Sequence, residues 1–392
     1  MSKLGRFSRH IGFAAAISLF GAGAAAHPAP PVAANAFGRA TVMADAERLA
    51  RWQLDKLAAE SLPSEDARSW QQAVLWVGMA AFADDGAPSW AGKAVLDRAL
   101  GNGWMPGARR YSADDQLIGD VYLWAARHGA GQAAITPLRA SFDAILKNPS
   151  RAHLALYLGP QGYAAYSKAE CLQRWCWSDA LFMAPSVWLT LSRQTGDRRY
   201  RDFALSEFWD STNFLYDPAE RLYFRDSRFF DLRDTAGRKI FWSRGNGWAF
   251  AGIARMLMAL PAKDPARKPL EDLFRDMAGR LKGLQKPDGY WPSALLETGP
   301  TPPETSGTAL ITYGFAWGVG HGILKRADYE PSIRLGWTAL ESAIQPDGRL
   351  GWVQRAGDRP AGSAASDTQQ YGVGLFLLAA TAVADLDLSR TR

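Results

Sequence analysis

The chain has 392 residues, 47% of them apolar, and its 45 basic side chains outnumber 39 acidic ones by six. With no basic block and no RNA motif, that mild excess excludes nucleic acid as an expected partner; five histidines, none in ligand spacing, leave no expected metal, zinc included. The apolar stretches after the leader are broken by Gly, Trp and charge, so no membrane span is expected.

In chain order, Lys3, Arg6 and Arg9 precede an apolar run over residues 11–26 that ends in Ala24-Ala25-Ala26. This is the pattern of a secretory signal, residues 1–26, cleaved near Ala26. A Pro/Ala-rich tether, 27–40, follows, and 41–392 is expected to form a single domain in the periplasm or outside the cell. Asp114-Asp115 precedes a helical stripe of Ile118, Val121, Tyr122 and Ala125. Cys171 and Cys176 are five apart; a disulfide needs an irregular segment there, and two packed thiols are the alternative. Leu181 opens an apolar run through Leu191, with Pro185 as a kink or a fresh start. Residues 221–225 form a short strand signal. Trp248, Ile253, Leu257 and Leu260 make another stripe, with Asn246 as a cap and Pro261 as a stop. Helices are further predicted over 270–284, 306–323, 333–344 and from Ser366 or Asp367 through Ala384.

Two Pro-Asp-Gly turns, at Asp288-Gly289 and Asp347-Gly348, each follow a helical run and lie 59 residues apart. The chain holds about six such units. Six helical hairpins can close into an all-α (α/α)6 barrel, the favoured fold class; an open hairpin array or a plain bundle is the alternative. Gly314, Gly318, Gly320 and Gly322 suit a crowded inner helix.

Two clusters carry candidate chemistry. In Trp175-Cys-Trp-Ser-Asp179, a carboxyl group between indole and apolar side chains would be desolvated and held protonated, the state of a general acid. A helix N-cap at Ser178 or Asp179 explains the same pattern. In Trp242-Ser-Arg-Gly-Asn-Gly-Trp248, the Arg244 guanidinium could fork onto a uronate carboxylate, or tie loop carbonyls together. Trp248 would wall the same pocket. Asp114 and Asp115 either cap their helix or supply a second pocket carboxylate. Trp104, Trp175, Trp177, Trp242, Trp291 and Trp352 lie beside turns or charges, and as a group they suggest a rim for stacking sugar rings.

These motifs resemble the unsaturated rhamnogalacturonyl hydrolases of glycoside hydrolase family 105. The resemblance rests on Asp114-Asp115 with Gly119 and Tyr122, on Trp177-Ser-Asp179 through Pro185, and on Arg244-Gly-Asn-Gly-Trp248. Glu304-Thr-Ser-Gly-Thr308, Thr312-Tyr-Gly-Phe-Ala-Trp317 and Asp367-x-Gln-x-Tyr371-Gly-x-Gly374 extend it. The related unsaturated glucuronyl hydrolases of family 88 share the plan. The resemblance implies an (α/α)6 barrel and no cofactor. Its substrate is an oligosaccharide left by a polysaccharide lyase, with a C4=C5 double bond in its terminal uronic acid. An acid protonates C4, water adds at C5, and the hemiketal opens to expel the aglycone. By resemblance Asp179 is the acid/base, Trp177 an aromatic wall, and Arg244 and Trp248 hold the uronate. Trp70 joins that substrate-binding set, and Asp114 or Asp115, with Asp115 favoured, is the second acid. A pectin-derived rhamnogalacturonan disaccharide is the expected substrate. A glucuronyl disaccharide from another polysaccharide, or an inactive glycan-binding toroid, is the rival. Where the family often has a histidine, residues 222–228 have none, and Arg225 or Asp226 is the stand-in.

Overall fold

The computed structural model describes residues 37–60, 66–158 and 169–388. The expected signal sequence and most of the expected tether lie outside them. The first helix, α1 (Arg39–Ala59), begins two residues inside the expected tether, and Phe37 before it is already buried.

Six hairpins follow one plan, an outer helix and then an inner one. The inner set is α2 (Trp70–Asp84), α4 and α5 (Ala113–Gln116 and Ile118–Ala125), α7 and α8 (Ala180–Met183 and Pro185–Thr195), α10 (Ser243–Ala259), α12 (Thr305–Gly320) and α14 (Gln370–Leu386). The outer set is α1, α3 (Ser89–Gly101), α6 (Thr136–Lys147), α9 (Arg198–Leu215), α11 (Arg267–Lys282) and α13 (Arg326–Ser342). Around the inner ring α2 packs on α5, α5 on α8, α8 on α10, α10 on α12, α12 on α14, and α14 back on α2. The ring is therefore closed, which selects the barrel over the open array.

Burial explains which helices go inside. In α12 and α14 nearly every residue is buried, as expected of helices without a polar face. α11 alternates Leu270, Phe274, Met277 and Leu281 inward with charge outward, and lies on the rim. Close crossings need glycine. A Cβ on Gly78 would fall 2.2 Å from the Gly374 carbonyl oxygen, so α2 and α14 meet backbone to backbone. Gly314 and Gly318 likewise face Phe250 and the Leu324/Phe274 pair. Gly320 and Gly322 are not crowded: one ends α12 and the other lies in the following turn with φ +69°.

The Pro-Asp-Gly echo is a repeated device. Gly289 and Gly348 both have φ +90°. In each copy the residue three before the glycine shares backbone hydrogen bonds with that glycine and with the residue after it. Each closes the loop between an outer and an inner helix. The strand signal at 221–225 becomes β2 (Leu222–Tyr223), paired antiparallel with β1 (Tyr216–Asp217). Asn246 is not a cap, since α10 starts at Ser243. Its side chain accepts from Tyr223 N and donates to Tyr223 O and Trp242 O, tying β2 to the first turn of α10.

Candidate active site

All six inner segments start at one end of the ring, and the candidate residues gather there. Asp179 is delivered by a short braced segment. Cys171 and Cys176 form a disulfide, possible because residues 170–173 make a 3-10 turn and Arg174 is extended. Arg174 grips Glu207 and Asp210 of α9 at 2.6 and 2.7 Å. Ser178 N donates to Arg225 O at 2.9 Å, locking the segment to the chain after β2. Asp179 immediately precedes α7, but its side chain makes no capping hydrogen bond, so the capping alternative fails. The residue is 8% exposed; its carboxyl group accepts from Ser178 Oγ at 3.1 Å and lies 3.6 Å from Arg225 Nε. Burial pushes its pKa up, and Arg225 and Arg244 oppose the shift without cancelling it.

Asp114 and Asp115 divide in the opposite way to expectation. Asp115, the favoured candidate, is saturated: it accepts from Arg109 N at 2.7 Å and from Arg109 Nε and Nη2 at 3.1 and 2.6 Å. Its carbon atoms also fill the space over Gly107. Asp114 is the one that feels Asp179. Burial raises its pKa to about 7, Arg109 at 4.0 Å works against this, and the Asp179 charge adds to it. Two carboxyl groups in one space hold at least one proton near neutral pH.

Arg244 is 1% exposed and largely committed to protein. Nη1 donates to Ser306 Oγ at 3.2 Å and to Gln354 O at 2.9 Å, and Nη2 to Arg355 O at 3.0 Å. Its Cζ lies 4.2 Å from the Trp242 ring centre and 5.4 Å from that of Tyr371. The carbonyl-tying alternative thus describes what Arg244 does here, while its charge still reaches Asp179. Trp248 is 1% and Trp177 3% exposed. Trp70 is the half-buried member of the substrate-binding set, packed edge-on to Trp248 at 6.5 Å and tilted on Tyr371 at 4.9 Å. The rim of six tryptophans is corrected: Trp175, Trp177, Trp242 and Trp291 are buried. Trp291 spends its indole N–H on Leu281 O at 2.7 Å, inside the core. Trp104 and Trp352 are only partly buried, on left-handed backbone at φ 61° and 57°.

The sequence underweights a chain of charges behind Asp179. Arg225 Nη1 donates to Asp226 at 2.8 Å. Asp226 also accepts three N–H groups of Arg228, which in turn bonds Asp358 at 2.7 Å. Although Asp226 is wholly buried, these donors hold its pKa below the usual range. Asp358 likewise falls to about 2 against its burial, through Arg359 and Arg228. The absence of histidine from 222–228 was the visible signal; the pairing partner, 130 residues away, was not. Among the described residues no group of His, Cys, Asp and Glu has the arrangement of a metal site.

The chain is similar to known proteins in sequence and in fold. The model of Glycosyl Hydrolase Family 88 matches residues 45–386. An unsaturated 3S-rhamnoglycuronyl hydrolase of Alteromonas sp. is 37% identical over 347 residues, 86% of this chain and 84% of that protein. A second enzyme of that name, from Formosa agariphila, is 35% identical over 75% of this chain and 78% of its own length. A solved glycosyl hydrolase family 88 structure from Bacteroides vulgatus superposes with a TM-score of 0.76 at 26% identity, covering 88% of this chain and 98% of that one.

Proposed function

Since the chain belongs to glycosyl hydrolase family 88 and removes unsaturated uronic acid from polysaccharide-lyase products, we propose that Asp179 is its general acid/base and Asp114 the second acid. The carrying observation is the buried Asp179 carboxyl with a raised pKa, flanked by two arginines and by Asp114. Asp179 gives its proton to C4 of the uronate, forming the C4–H bond. Water then bonds to C5, and its proton returns to the Asp179 carboxylate. The hemiketal at C5 opens and the aglycone departs. Asp114, its pKa raised to about 7, keeps its proton up to near neutral pH and in that form is a hydrogen-bond donor to the substrate or to that water. Asp115 positions the segment by holding Arg109. Trp70 offers the open aromatic face for the sugar ring.

The aglycone we propose is rhamnose rather than a hexosamine or glucose. Support comes from the two curated relatives, both named for rhamnoglycuronyl substrates, at 37% and 35% identity. Loss of the ultraviolet absorbance of the conjugated double bond tests it. Unsaturated uronyl-rhamnose, with and without sulfate on the rhamnose, should turn over faster than an unsaturated uronyl-galacturonate or a glucuronyl-hexosamine. Preference for the hexosamine would remove the proposal. Export to the periplasm or the medium is proposed with it, supported by the leader pattern and by the Cys171–Cys176 disulfide; cell fractionation decides it.

A further inference from the structure

We propose that Arg225, aimed by Asp226, is a positioning residue that holds Asp179 between its acid and base forms during turnover. The inference rests on Asp179 being the acid/base. Its ground is the arrangement of charge on every side of that carboxyl group. From α10 comes Arg244, which gives three Nη N–H groups to Ser306 and to the carbonyls of Gln354 and Arg355. From α4 comes Asp114, with Arg109 and Asp115 behind it. From the chain after β2 comes Arg225, 7% exposed at its side chain, with Nε 3.6 Å from Asp179 Oδ2. That separation is an ion-pair contact and longer than a hydrogen bond. It suits a carboxyl group that is still protonated, and it can tighten when the proton leaves for C4.

Asp226 decides how far Arg225 can go. It is fully buried and fixed by three donors of Arg228, and it takes Nη1 of Arg225 at 2.8 Å. Arg225 is therefore shared between a permanent anion and an intermittent one. If Asp226 let go, Arg225 would pair fully with Asp179 and make it too strong an acid to recover its proton. If Arg225 were absent, the buried carboxylate would have no counter-ion beside it. Arg228 passes the anchor to Asp358. The loop of residues 354–359 thus fixes both cations that face Asp179, one through two carbonyls and one through Asp358.

The test is the pH profile of kcat/KM on an unsaturated uronyl-rhamnose disaccharide. Asp179 must be protonated to act, so activity is lost as pH rises through its pKa. Arg225→Gln removes a charge that lowers that pKa, and should move the alkaline limb up by about one to three pH units while kcat falls at least about tenfold. Arg225→Lys, keeping the charge, should hold the limb near its native position. Asp226→Asn should move it down. Opposite shifts from two neighbours that lie in one structural network are not what simple loosening produces. An unmoved limb in Asp226→Asn, or in a folded Arg225→Gln, overturns the proposal. Asp179→Asn, assayed alongside, separates the two levels. If it stays active, the acid assignment itself fails; if it is inactive while the limbs stay fixed, only the role of Arg225 fails.

Discussion

Asp114 and Asp179 face one space, and the Asp179 charge makes Asp114 harder to ionise. Asparagine at 179 keeps the shape and removes the proton, so kcat should fall by about 10² to 10⁴-fold with KM little changed. At 114 the sharper consequence concerns stability. A carboxyl group whose folded pKa is about 7, raised from 3.8, binds its proton more tightly in the native state. Its favourable contribution is complete below pH ~4 and is lost as pH rises through about 7. Asp114→Asn should therefore melt higher than the native enzyme at pH 8, with the gap closing toward pH 4, while turnover drops. Equal melting shifts at both pH values would contradict the shared space. Arg244 behaves differently. Its removal leaves the Arg355 carbonyl without its Arg244 donor and the Gln354 carbonyl with the Tyr371 hydroxyl in place of two donors, and Arg244→Ala should cost about 3 kcal/mol by denaturant titration.

At the scale of elements, the inner helices depend on glycine where backbones touch. Gly78→Ala would push a methyl group into the Gly374 carbonyl of α14, and should lower stability by about 2 kcal/mol or more. Gly101→Ala, at the end of α3 with open space around it, should be neutral or slightly stabilising. Helices of this kind were legible where the signal is local. The Pro-Asp-Gly turns, the break at Pro185 and the stop before Pro261 all rest on φ restrictions that each residue imposes by itself. What stayed hidden was set by distant chain. Asn246 looked like a cap because its partner is the β2 backbone. Four tryptophans looked like a sugar rim because turn residues flank them, yet the folded ring buries them. Asp115 looked the better acid because nothing in the sequence shows Arg109 folding back onto it. Residues 171–176 join these scales: breaking the disulfide with Cys171→Ser frees the segment that presents Asp179. It should lower kcat more than it lowers the melting temperature, as activity and thermal scans on one preparation would show.

At the scale of the molecule, the barrel could be argued from a 59-residue spacing, but its closure required the contact of α14 with α2, which no local pattern contains. The same closed ring fixes a direction. Every inner helix runs the same way, so the unbonded N–H ends of α2, α10, α12 and α14 converge where Asp179 and Asp114 lie. Each end carries about half a positive elementary charge; Arg244 adds a full one, and Arg225 one that Asp226 partly offsets. Glu304 already uses part of this field, accepting from Ser306 N and Gly307 N at the start of α12. The barrel mouth is in effect an electrostatic lens. The expectation is that it draws an anionic sugar toward the mouth, although the chain as a whole is only mildly basic. Gathering of that kind is screened by ions. Raising the salt from about 0.01 to 1 M, a span over which the screening length shrinks about tenfold, should raise KM for a charged unsaturated uronide while leaving kcat almost untouched.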